Sequence, residues 1–458
     1  MSSIKCESLL PQLWAKAFDS SRRNWHFTSL QLRISAPRFS SMSLAHTFRA
    51  FRHRDYRIFW VGLFCGHTGT LIQSTAQAWL IFELTNSTFY LGLDGLCLGL
   101  PRILFSAFGG AVVDRTDRRL LFFLDQGAFL VMALFLGVMT SLGAIRVWHI
   151  LAMSALTGLL LSFEQPIRQT VLAGVVAKED LLNATSLYNL VFHGAVLFGP
   201  ALGGVLIPVI GAGGCFYLNA ASYVVVLWTI ALIHIPKTTV PPGSVKTSLL
   251  RETVDVARIA WASPVFRSLL ITLTIISLFT KSYTQFMPVF ARRLGVGPPG
   301  LGVLLMAPGA GAIVGGLALA SMRRSYRVSF LILLQACGFG LCLVLFSNSP
   351  FFVLSVALLV VIGAFQTSLL SLIASLLQLH AQENVRGRIM ALFGLLNRGL
   401  GPMGAFPMGA LALWIGAPLA LSGAAVLAVF GTGYVTLRKP YAESFGTVGG
   451  SPAREQGS

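Results

Sequence analysis

The sequence predicts an all-α membrane protein with twelve transmembrane helices in two six-helix halves. Of its 458 residues, 55% are apolar and 11% are charged, whereas a soluble domain has about 25% charged residues. So few charges do not cover the surface of a water-soluble protein of this length, and the high apolar content excludes a disordered chain. The other two observations are a series of long apolar stretches and a biased placement of the basic residues between them.

A helix needs about 20 apolar residues to cross a membrane, and we count twelve such stretches. They are 58–82, 89–112, 120–140, 148–167, 184–208, 212–234, 265–290, 300–320, 328–346, 351–376, 388–412 and 416–438. Helices are expected because lipid offers the backbone no hydrogen-bonding partners.

The basic residues predict the orientation. With the N-terminus in the cytoplasm, the inner segments contain 27 lysines and arginines, and the outer loops contain Arg146, Arg292 and Arg293. Because positive loops stay on the cytoplasmic side, we expect a multi-pass protein of the cytoplasmic (inner) membrane with both termini inside.

The apolar stretches also predict five regions. They are an N-terminal extension (1–48), a first six-helix half (49–234), a cytoplasmic linker (235–264), a second half (265–438) and a disordered cytoplasmic tail (439–458). The extension lacks the apolar core of a secretory signal peptide. We expect it to be disordered or to reflect an over-long gene model with Met42 as the true start, and an organelle transit peptide is a further alternative. The linker contains an amphipathic stretch, 247–261, that predicts a short helix on the inner membrane face.

The two halves show signs of an internal duplication. Gly109 and Gly110 recur as Gly315 and Gly316, and Gly204 recurs as Gly409, with an offset of about 205 residues each time. Related halves predict a transporter whose site lies at the interface between them, and chance similarity between glycine-rich stretches is the alternative.

A charged motif follows predicted span two. It contains Gly110, Asp114, Arg115, Arg118 and Arg119, which match the signature G-x-x-x-D-R-x-x-R-R, so the sequence resembles the major facilitator superfamily. The resemblance implies the major facilitator fold and a latch that favours one of two gating states. The glycine permits close helix contact, and the charged groups bind helix ends, carboxylates or lipid phosphates. The alternative is a basic loop without a latch.

Predicted span five ends in a second motif, with Gly199, Pro200, Gly203 and Gly204. It resembles the G-x-x-x-G-P-x-x-G-G signature of exporter-type members, with Ala195 in place of the first glycine. In the family this motif marks antiport, and the alternative is simple helix packing. Residues 163–169, Phe-Glu-Gln-Pro-Ile-Arg-Gln, resemble a bacterial branch that includes enterobactin-type siderophore exporters and macrolide-efflux-like proteins.

Two carboxyl groups at membrane depth, Glu164 and Asp94, are the proton-coupling candidates. An ionisable group near the bilayer centre costs about 2.5–3.5 kcal/mol on insertion scales and therefore usually has a role or a partner. Glu164 shares a helix face with Arg168. A structural ion pair for Glu164 and a packing role for Asp94 are the alternatives, and we interpret Asp125 as an interfacial residue.

Further polar residues are candidates for a substrate cavity, because the resemblance implies that spans one, four, seven and ten line it. They are Gln73, Gln77, Arg168, Lys281, Gln285, Gln366 and Arg398. Together with Arg102, the basic ones predict a positive cavity suited to an anionic or catecholate solute. Alternatively, each cation pairs with Asp94 or with backbone carbonyls.

These observations predict a secondary active transporter, rather than an enzyme. We expect it to export a small amphiphilic solute, siderophore or drug-like, across the cytoplasmic membrane by proton antiport with alternating access. No nucleotide-binding or metal-binding motif occurs, so we expect no metal and no cofactor. The expected partners are a small-molecule substrate, protons and membrane lipids, without nucleic acid, and the resemblance implies a monomer. A lipid or lysolipid flippase of the same fold is the alternative.

Overall fold

The computed structural model describes residues 48–235, 258, 261–321 and 328–437, and within these ranges the chain is helical and contains no strand. Twelve α-helices lie in this part. They are α1 (Arg54–Thr85), α2 (Thr88–Arg115), α3 (Arg118–Ser141), α4 (Val147–Val175), α5 (Leu181–Leu232), α6 (Pro264–Phe279), α7 (Met287–Arg293), α8 (Gly297–Ser321), α9 (Val328–Asn348), α10 (Phe352–His380), α11 (Glu383–Ile415) and α12 (Ala417–Leu437).

The helices follow the predicted spans with two differences. Helix α5 contains predicted spans five and six, which meet at Gly211 with a non-helical backbone (φ 72°, ψ 171°). Predicted span seven is divided into α6, a 3-10 turn (Lys281–Phe286) and α7. Nine helical stretches of the described chain are long and apolar enough to cross a membrane, so the count of twelve spans stays a prediction. The amphipathic stretch 247–261 falls almost entirely outside the described residues.

Helix packing follows the same scheme in the two predicted halves. In the first, α1 and α3 pack on α5 and α2 packs on α4; in the second, α6 packs on α11 and α12, α9 packs on α12, and α8 packs on α10. Gly109 and Gly315, which have the same place in the repeat, contact the backbone carbonyls of Ser162 and Ala364. This repeated pairing is what an internal duplication predicts.

The two predicted halves contact each other through α2 with α11 and through α5 with α8. Glycines allow the close approach: a Cβ atom at Gly95 would lie 2.3 Å from the carbonyl oxygen of Pro402, and one at Gly302 would lie 2.6 Å from that of Pro200. We call the end of the bundle that contains the turns at Asn86 and Gly416 the far end. These glycine contacts lie closer to the far end than to the opposite end of the bundle. The described chain begins and ends at that opposite end.

Candidate functional site

A buried ion pair lies on α4, on the side that faces α1. Arg168, which is 4% exposed, pairs through its guanidinium with the Glu164 carboxylate one turn away. The same guanidinium lies 2.5 Å from Nε2 of His67 on α1. An arginine only donates hydrogen bonds, so this ring nitrogen of His67 accepts. The contact therefore fits an unprotonated nitrogen at that position.

Asp125 and Gln126 on α3 border this ion pair. Asp125 is 4% exposed and Gln126 is fully buried, and the Gln126 amide donates to the Asp125 carboxylate at 2.8 Å. Asp125 is close enough to Glu164 and Arg168 to interact electrostatically with both. The sequence suggests that Asp125 is an interfacial residue, whereas the structure places it buried beside the ion pair. We call Asp125, Glu164, Arg168 and His67 the buried charge cluster.

Uncharged polar groups join α1 to α5 next to this cluster. The Asn219 amide donates to the side-chain carbonyl of Gln73 at 2.7 Å, and the hydroxyls of Thr70 and Tyr223 lie 3.0 Å apart. The Tyr223 ring stacks on Phe129 of α3 with 5.5 Å between centroids. These contacts hold α1, α3 and α5 in register around the charged groups.

Asp94 lies in a separate network nearer the far end. One of its carboxylate oxygens accepts hydrogen bonds from Ser154 at 2.5 Å and from the Gln77 amide at 3.1 Å. Gln77 also donates to Ser154 at 2.9 Å. Both partners of Asp94 are neutral, so protonation of this carboxylate breaks no ion pair.

Three cations of the described chain lie near the interface between the predicted halves. Arg398 on α11 donates to the side-chain carbonyl of Gln165 on α4, across that interface. Lys281 donates to the side-chain and backbone carbonyls of Asn397, at 3.0 and 3.2 Å. Arg102 and Lys281 each interact electrostatically with Arg398. We call Arg102, Lys281 and Arg398 the central cation group; the hydrogen-bonding partners found for Lys281 and Arg398 are neutral, and Asp94 is not among them.

The remaining predicted residues are placed as follows. Gln285 and Gln366 are half-buried. A Cβ atom at Gly199 would lie 2.6 Å from Leu71, and one at Gly203 would lie 3.0 Å from Thr75, both on α1. Gly204 and Pro200 instead contact α8, so the antiport-type motif lies where α5 meets both α1 and α8.

The gating-latch motif is described only in part. The side chains of Asp114 and Arg115 and the burial of Gly110 are outside what the structure describes. Arg119 donates to the Ala231 carbonyl at 2.7 Å, near the end of α5. Arg118 begins α3, and the nitrogen Nε of its half-buried side chain has no hydrogen-bonding partner among the described groups. The latch therefore stays a prediction.

Asp117, inside this motif, caps α3. Its carboxylate accepts hydrogen bonds from the backbone N–H groups of Arg119 at 2.8 Å and Leu120 at 3.2 Å. We expect Asp117→Ala to destabilise the protein by about 1 kcal/mol, the usual cost of a lost N-cap. Denaturant unfolding in detergent micelles measures this change, with Asp117→Asn as the cap-retaining control. Equal stability of the alanine and asparagine variants would contradict it.

Several residues of the site give no distinct signal in the sequence. Asn219, Tyr223, Ser154, Gln165 and Asn397 are uncharged residues in apolar or mixed stretches, and their pairing depends on helices distant in the chain. Their polarity inside apolar stretches is the only signal, and it does not show which partner each one meets.

An apolar helical bundle with charged and polar groups buried in one half and polar contacts between the halves fits a membrane transporter, and comparison with known proteins identifies its family. A family model described as transmembrane secretion effector matches residues 45–445. The chain belongs to this family of the major facilitator superfamily, and it is a secondary transporter rather than an enzyme.

Similar proteins are exporters and transporters. The staphyloferrin A transporter of Staphylococcus aureus is 25% identical over 344 residues, covering 74% of this chain and 85% of that protein. The multidrug efflux pump Tap of Mycolicibacterium fortuitum is 25% identical over 365 residues (75% and 86%). The enterobactin exporter EntS of Salmonella typhi is 23% identical over 359 residues (78% and 86%).

Solved structures of similar shape are also transporters. A bacterial homolog of the human lysosomal transporter Spinster, in an inward-facing and unoccupied conformation, has a TM-score of 0.64 at 15% identity, with 87% of this chain and 99% of that chain covered. A POT family transporter in complex with 5-aminolevulinic acid has a TM-score of 0.66 at 12% identity (85% and 96%). These similarities establish the major facilitator fold.

Proposed function

We propose that this transporter exports a small amphiphilic anion across the cytoplasmic membrane by proton antiport. The central cation group supports the anionic class, because cations from both predicted halves gather near one interface. The second half supplies almost no acidic groups to balance them: between residues 265 and 438 the sole acidic residue is Glu383, the first residue of α11. A positive site at the interface attracts and holds anions.

The direction of transport rests on the similar proteins, whose names include an enterobactin exporter and a multidrug efflux pump. The antiport-type motif of α5 supports the same direction. We propose the orientation that the basic loops predict, with both chain ends in the cytoplasm, and a monomer as the working unit.

Glu164 is our first proton-coupling candidate, because its protonation has a structural consequence. A neutral Glu164 no longer pairs with Arg168, so the guanidinium is released. Protonation of Asp94 releases no charged partner, which makes Asp94 the second candidate.

The substrate and the proton are coupled through α4. Gln165, the partner of Arg398, directly follows Glu164 in the chain. An anion bound by Arg398 competes with Gln165 for the guanidinium and so changes the surroundings of the proton site. The ligand then shifts the population between two arrangements of the halves, with the motif around Asp114 as the gating latch.

The test uses everted membrane vesicles that are acidic inside, with a pH-sensitive dye that reports the gradient. We expect a catecholate siderophore to release protons and a lipophilic cation to release none, because the central cation group repels it. Glu164→Gln and Arg398→Gln are expected to abolish the release. Glu383→Gln, which removes an exposed carboxylate, is the matched control and should behave like the wild type.

Two outcomes would overturn the proposal. Release by the lipophilic cation but not by the siderophore would exclude an anion site. No release with any compound, together with movement of labelled lipid between leaflets, would exclude the antiporter and support the flippase.

A further inference from the structure

Asp125 is a buried carboxyl group to which the proposed mechanism gives no role. It lies on α3, seven residues from the start of the helix, and it is 4% exposed. It interacts electrostatically with Glu164 and Arg168. Within the described residues it has no ion-pair partner, because Arg168 pairs with Glu164.

Three polar atoms around Asp125 are buried without hydrogen-bonding partners among the described groups. They are Oδ1 of Asp125, Oε1 of Gln126 and Nε of Arg168. An ionised carboxylate with an unpartnered oxygen is expensive in such surroundings, whereas a neutral carboxylic acid costs much less. The arrangement therefore suits a carboxylic acid at Asp125 beside a carboxylate at Glu164.

The charges of the cluster lead to the same conclusion. The titratable and charged groups that interact with Asp125 from the neighbouring helices are Glu164 and Arg168 of α4. Tyr188 and Tyr223 of α5 interact with Arg168. His67 of α1 faces Arg168 on its other side. Arg102 interacts with Glu164 from α2, and Arg398 interacts with His67 from α11. One guanidinium thus pairs with Glu164 and interacts electrostatically with Asp125, and one proton on the two carboxyl groups makes the trio neutral.

We propose that Asp125 is a further proton-coupling residue, which shares one exchangeable proton with Glu164 while Arg168 neutralises whichever carboxyl group is ionised. When the proton is on Asp125, Arg168 pairs with Glu164, as in this structure. When the proton moves to Glu164, Asp125 becomes the carboxylate and attracts the guanidinium. The proton enters from and leaves to water, and no other group is oxidised, reduced or transferred. This inference rests on the proposed proton antiport.

Infrared spectroscopy of the reconstituted protein tests the sharing directly. The C=O stretch of a protonated carboxyl group is recorded during a pH titration and identified by its shift in D2O. We expect Asp125→Asn and Glu164→Gln each to remove one and the same protonated-carboxyl signal, because the remaining carboxyl group then pairs with Arg168 and stays ionised. The double variant should lose no more of the protonated-carboxyl signal than either single variant loses. Asp94→Asn should retain the signal.

Additive losses in the two single variants would overturn the inference, because they indicate two independent carboxyl groups. Retention of the whole signal in Asp125→Asn would overturn it too. Asp125→Glu keeps a carboxyl group on α3 and is expected to keep the signal, which separates the chemical role from a loss of packing.

The vesicle assay separates this inference from the proposed function. We expect Asp125→Asn to lose substrate-triggered proton release and Asp125→Glu to retain it. Proton release that is normal in Asp125→Asn but absent in Glu164→Gln would leave the antiporter standing and overturn the role of Asp125. No release from the wild type would overturn the antiport itself, and with it the coupling role of both residues.

Discussion

Arg168→Gln is expected to destabilise the protein by about 3–5 kcal/mol, the cost of breaking a buried ion pair by removing one partner. Arg168 is 4% exposed, and its guanidinium pairs with Glu164 and contacts His67. Without it, the cluster contains the buried Asp125 carboxyl group and the half-buried Glu164 carboxylate, with no contacting cation. Denaturant unfolding of the purified protein in detergent micelles measures the change.

Arg398→Gln is the matched control, because the same side chain is replaced at an exposed position. Its partner is the neutral Gln165, and we expect a change of less than about 1 kcal/mol, as for exposed polar contacts. Combining Arg168→Met with Glu164→Leu should recover much of the stability lost in Arg168→Gln, since apolar residues replace a buried ion pair at little cost. Equal stability of Arg168→Gln and Arg398→Gln would contradict the buried pair.

The local features of this fold could be predicted from the sequence because they depend on local composition. Apolar length predicts the helices to within a few residues at most ends, and the spacing of Glu164 and Arg168 predicts their contact. The division of span seven at Lys281 is not predictable in this way, since the stretch 265–290 is apolar enough to read as one helix.

The contacts between distant helices could not be predicted, because a single sequence contains no information on pairing. The polarity of Asp94 marks it as a candidate, but its partners Gln77 and Ser154 are 17 and 60 residues away. Asp125 shows the same limit: its position near the start of α3 suggests an interfacial residue, and only the packing of α3 against its neighbours brings it beside Glu164.

Replacing a glycine by leucine where two helices touch should also have a large effect. Whether the protein fails to fold or changes its conformation depends on whether the two helices belong to the same half. Gly363 of α10 packs within the second half, and a Cβ atom there would lie 2.0 Å from the Pro308 carbonyl oxygen of α8. Gly363→Leu requires the backbones of two packed helices to separate, so we expect loss of the folded protein, seen as aggregation in size-exclusion chromatography. Gly127→Leu is the control, because nothing lies within 4 Å of its Cβ position.

Gly95 of α2 makes an equally close contact, but across the two halves. A Cβ atom there would lie 2.3 Å from the Pro402 carbonyl oxygen of α11. Because each half keeps its own packing, we expect Gly95→Leu to fold while the far end of the bundle opens. Spin labels at Leu84 and Trp414, both exposed near the far end, should then report a longer distance than in the wild type.

This comparison distinguishes a rigid bundle from two halves that move against each other. If the halves move as alternating access requires, Gly95→Leu shifts the population towards one state, and transport falls while the fold persists. If Gly95→Leu instead aggregates like Gly363→Leu, the contact between α2 and α11 belongs to the folded core. An unchanged label distance with full transport would show that the close α2–α11 approach is not needed at all, which would contradict the opening of the far end that we expect from Gly95→Leu.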